Sequence, residues 1–65
     1  MIPDLDIYRA AQAMVKRYSK GAPLKAAARA DELLAAGDLD GQRTWLRILR
    51  AINELLNVTP RGPVN

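Results

Sequence analysis

Arg43, Arg47 and Arg50 recur at spacings of four and three residues, so a helix would carry them on one face together with Glu54. A guanidinium donates planar, paired hydrogen bonds, and a stripe of them suits carboxylates or phosphates on a partner. The same stripe also suits a plain solvated helix face, with Arg50 and Glu54 as an ordinary i,i+4 pair in the less favourable order. The aromatics are the other candidates. Tyr and Trp are favoured anchors at interfaces. Trp45 falls within an apolar helical face and is assigned to the core. Tyr8 projects near the boundary of its own helix and is the better exposed anchor.

Catalysis has little to draw on. The chain has no His and no Cys, which removes the commonest general base, the commonest metal ligand and every thiolate site. One Ser (Ser19) and two Thr (Thr44, Thr59) cannot assemble a hydrolytic triad without a base. Asp31 lies at the edge of an apolar arc and is expected to be half-buried with a partner, but no second catalytic group accompanies it. Asp38 and Asp40 lack the 12-residue spacing and terminal Glu of a calcium loop and read as helix caps. No enzyme, catalytic residue, metal site or cofactor is expected.

At 65 residues the chain allows one small domain. A domain this small hides about 60% of its extended surface on folding. That burial contributes about 95 kcal/mol and ordering the chain costs about 90, so a lone monomer would be marginal and a homodimer is a live expectation. Ten basic residues against seven acidic give a net charge of +3, a mild excess for a dedicated nucleic-acid binder. No apolar run approaches membrane-spanning length. Met1-Ile2-Pro3-Asp4 lacks the basic region and long apolar stretch of a signal peptide, which makes the cytoplasm the expected location.

Abundant Ala, few β-branched residues and no Phe favour helix over strand. The spacing predicts an all-α fold, a small antiparallel three-helix bundle with helices over about 4–19, 23–36 and 39–57. The domain would span 1–58 and an irregular tail 59–65. Asp4 is expected to cap the first helix, whose apolar face holds Ile7, Ala11, Met14, Val15 and Tyr18. Gly21 would end it, and Pro23 would open the second. In that second helix Leu24, Ala27, Ala30, Leu33 and Leu34 make an apolar arc, with small Ala side chains allowing close approach. Either Asp38 or Asp40 would cap the third, whose apolar face holds Trp45, Ile48, Leu49, Ile52, Leu55 and Leu56.

The segments Asp4-Leu5-Asp6-Ile7-Tyr8-Arg9, Arg29-Ala30-Asp31-Glu32-Leu33-Leu34 and Gly37-Asp38-Leu39-Asp40-Gly41 carry a resemblance, together with Trp45, Arg47-Ile48 and Ala51-Ile52-Asn53-Glu54-Leu55. Over about residues 4–56 the chain resembles a group of very small, hypothetical alphaproteobacterial helical proteins. The resemblance implies a bacterial, cytoplasmic, helical protein and carries no activity. Where that group has an acidic turn, this chain has Ser19-Lys20-Gly21-Ala22-Pro23.

The expected function is a non-enzymatic protein-interaction or accessory module, self-associating or docked on another protein through Arg43, Arg47, Arg50 and Tyr8. Nucleic-acid binding through the third helix is the alternative. Asp38 and Asp40 count against it, because they stand at the start of the helix that would read a groove, close to phosphates. Arg43 counts against it too, since it falls where a helix-turn-helix prefers an aliphatic residue.

Overall fold

A computed structural model of the chain describes residues 3–57, and these are all-helical, with no strand among the described residues. The elements are α1 (Asp4–Tyr18), a 3-10 turn (Ser19–Gly21), α2 (Ala22–Ala35) and α3 (Leu39–Asn57). Helical residues follow one another from Asp4 to Ala35 with a break in conformation at Ser19, and a short turn at Ala36–Asp38 leads into α3. α3 packs against both α1 and α2, whereas α1 and α2 touch each other little. The expected tail at 59–65 lies outside the described residues.

α1 begins differently from expectation. Pro3, in extended geometry, precedes the helix, and its carbonyl accepts from the N–H groups of Asp6 (3.0 Å) and Ile7 (3.2 Å). Asp4 is the first helical residue, not the cap, and no side chain caps this end. Asp4 and Asp6 still stabilise the first turn, and Lys16 and Arg17 the last, through the helix dipole.

The junction after α1 also departs from expectation. Ser19, not Gly21, takes the positive φ, 51° with ψ −124°, while Gly21 lies at an ordinary φ of −82°. The Ser19 N–H still donates to Val15 O and closes the last turn of α1. Pro23 sits in the first turn of α2, where its missing N–H costs nothing.

The turn from α2 to α3 follows the expected chemistry. Gly37 has φ 81°, its N–H donates to Leu34 O (3.0 Å), and the Asp38 N–H donates to Leu33 O (2.8 Å). These two bonds satisfy carbonyls at the end of α2 in a Schellman arrangement. Asp38 then caps α3: its Oδ1 accepts from the Gly41 N–H at 2.8 Å, and its carbonyl accepts from the Gln42 N–H at 3.0 Å. Asp40 lies in the first helical turn instead. One aspartate thus ends one helix and begins the next.

The core is formed by Ile7 and Ala11 of α1, Ala22 and Ala26 of α2, and Ile48, Ala51 and Ile52 of α3. Met14, Val15, Tyr18, Trp45, Leu49, Leu55 and Leu56 pack around it, half-buried. The faces of α1 and α3 match the apolar patterns of the sequence. The face of α2 matches in part: Ala30 is buried and Ala27 and Leu33 half-buried, but Leu24 and Leu34 of the expected arc are exposed. Its buried stripe is Ala22, Ala26 and Ala30, at four-residue spacing, and Leu24 is 78% exposed. Leu24 stands two positions from both Ala22 and Ala26 and so projects from the far side of the helix. Small side chains let α2 lie close against the isoleucines of α3, so shape outweighs side-chain hydrophobicity here. This rotation carries Asp31 into solvent as well, correcting the expectation that it is half-buried and in need of a partner.

Candidate interaction cleft between α1 and α3

Where α1 lies on α3, a cleft of about 360 Å³ opens between Asp4, Ile7 and Tyr8 on one side and Arg47, Arg50, Ala51 and Glu54 on the other. Ile7 and Ala51 are buried residues of the core and supply the apolar lining. Ala51 leaves room that a larger side chain would fill. Tyr8 follows Ile7 by one residue, about 100° around the helix, so its ring stands at the solvent edge and is 42% exposed.

The polar rim is paired. Arg47 Nη2 donates to Asp4 Oδ1 and joins the two walls. Arg47 is half-buried, whereas the Asp4 side chain is almost wholly in water. Arg50 Nε stands 4.0 Å from Glu54 Oε2, one turn further along α3, and both side chains are largely exposed. At that separation and exposure the pair is loose, and each partner retains unused hydrogen-bonding capacity. Two acids and two bases give the cleft no net charge.

The structure therefore brings together three of the four residues singled out from sequence, Tyr8, Arg47 and Arg50. Arg43 is exposed on α3 but does not line the cleft. Asp4 and Glu54 belong to the site although sequence reasoning gave them other work. The i,i+4 spacing places Glu54 beside Arg50. No local spacing announces the Asp4–Arg47 pair, which exists only because α1 docks on α3. A second set of exposed apolar side chains, Leu34, Leu39 and Leu46, lies on α2 and α3 and was likewise not anticipated.

The chemistry available in the cleft is apolar contact, aromatic packing, hydrogen bonding through the Tyr8 hydroxyl and exchange of ion pairs. Among the described residues no group of three or more Asp or Glu is placed to hold a metal ion. No helix of the described residues is long and apolar enough to cross a membrane. No family model, curated protein or solved structure matches the chain.

Proposed function

We propose that the protein is a non-enzymatic helical interaction module that receives a protein partner at the α1/α3 cleft. The observation that carries this reading is the convergence of an exposed aromatic, an apolar lining and exchangeable charges at one junction between helices. An anchoring ring beside a small apolar pocket, rimmed by polar groups, is the usual anatomy of an energetic centre in protein interfaces. In this reading the packing of α1 and α2 on α3 makes an antiparallel three-helix bundle, with α3 common to both contacts. The proposed compartment is the cytoplasm, and the resemblance to small alphaproteobacterial proteins would make the host a bacterium. Arg47 and Arg50 both face carboxylates, an arrangement that favours a protein surface over a phosphate backbone.

The test is capture of partners by the tagged chain after nuclease treatment, comparing wild type with Tyr8→Ala, Arg50→Glu and Arg43→Glu. Capture that survives nuclease, is lost in the first two variants and is kept in the third supports the reading. Capture that disappears with nuclease, in step with DNA or RNA binding that falls steeply as salt rises, replaces it with a nucleic-acid function.

A further inference from the structure

We infer that the cleft is self-complementary and that its partner is a second copy of this chain, joined about a two-fold axis. This rests on the interaction reading above and names the partner. Arg50 and Glu54 lie one turn apart on the exposed side of α3, one basic and one acidic. In a two-fold interface every contact occurs twice, with the roles of the two copies exchanged. An axis crossing α3 at the level of Ile52 would run the two α3 helices antiparallel. Arg50 of each copy then meets Glu54 of the other. A patch of a single sign could not make this contact with itself, because like charges would oppose. Here the internal pair is loose and exposed, so exchanging it for two pairs between copies leaves no charge unmatched.

Apolar contact is available at the same level. Tyr8 lines the cleft beside Arg50 and Glu54, and Leu5, one turn earlier on α1, is 59% exposed. In such a two-fold arrangement the exposed Tyr8 and Leu5 side chains are the apolar groups available to the second copy. Arg47 stays with Asp4.

Sedimentation velocity of the full chain over about a hundredfold dilution series tests this. Wild type is expected to shift from the mass of two chains to that of one on dilution. Arg50→Glu leaves two acids on the face, and Glu54→Arg leaves two bases. Each variant alone should associate at least about tenfold more weakly. An equimolar mixture of the two should recover a dimer, because the acidic face of one opposes the basic face of the other. Both positions are exposed, so circular dichroism should show unchanged helicity and exclude misfolding as the cause. A wild-type chain that remains a monomer throughout overturns the inference. The interaction reading would survive that result if Tyr8→Ala still abolished capture of a different protein. Dimers indifferent to either reversal, or a mixture that fails to associate, also overturn the assigned contact.

Discussion

Arg47 on α3 donates a hydrogen bond to Asp4 at the start of α1, spanning 43 positions of sequence. The bond joins the two walls of the cleft at its mouth. Asp4 stands in water, so screening leaves the pair little weight in global stability. Asp4→Ala is expected to leave the melting midpoint nearly unchanged while the first-turn amides of α1 exchange faster. Hydrogen exchange followed residue by residue by NMR checks this. First-turn protection equal to wild type would show that Ile7 alone holds this end.

The rotation of α2 gives the sharpest test of packing. Ala26 is fully buried, so Ala26→Leu forces extra methylenes into a closed contact and should cost about 1–3 kcal/mol. Leu24→Ala removes a larger side chain from the solvent face and should change stability by no more than about 0.5 kcal/mol. Urea denaturation of both variants measures the contrast. The reverse order would mean that α2 presents its leucines to the core.

Backbone conformation makes opposite demands at three positions in the two joints between helices. Ser19 occupies a left-handed region that L side chains rarely adopt, so Ser19→Gly should stabilise by about 1 kcal/mol. Gly21 has an ordinary φ and open space around its would-be Cβ, so Gly21→Ala should stabilise by about 0.4–1 kcal/mol. Gly37, at φ 81°, has no such freedom, and Gly37→Ala should cost about 1–2 kcal/mol. Thermal melts of the three variants should therefore separate into two rises and one fall.

The cap of α3 is equally specific. Asp38→Ala should cost about 0.5–2 kcal/mol by releasing the Gly41 N–H. Gly41→Ala would ordinarily favour a helix by about 1 kcal/mol. Here the added Cβ would lie 2.8 Å from Asp38 Cγ, so the carboxylate must shift and the cap is weakened. The two effects oppose, and the gain expected from helix propensity should be largely absent. In an Asp38→Ala background, where the obstruction is gone, Gly41→Ala should recover that gain.

Much of this fold is legible in the residues. Helical spacing of Ile7, Ala11, Ile48 and Ile52 places the faces of α1 and α3 correctly, and Gly37 with Asp38 marks the turn into α3. Residue spacing fails where neighbours decide the outcome. On α2 residue spacing places Leu24 and Leu34 in the apolar arc with Ala27, Ala30 and Leu33, but the close approach of α3 selects the stripe of Ala22, Ala26 and Ala30. At the first junction a glycine is the natural owner of a positive φ, yet Ser19, two residues before Gly21, takes that angle. The cleft was half legible. Tyr8, Arg47 and Arg50 stand out by type and periodicity, while Asp4 enters only through the docking of α1, and Arg43 shares the stripe without reaching the cleft.

The proposed contact with a protein partner is centred on Tyr8. Its most direct test is to place a photo-cross-linking phenylalanine analogue at position 8 and, separately, at position 16, where exposed Lys16 lies outside the cleft. The account predicts protein cross-links from position 8, including to a second copy of the chain, and few from position 16. Equal yields from both positions, or none from position 8, would contradict it.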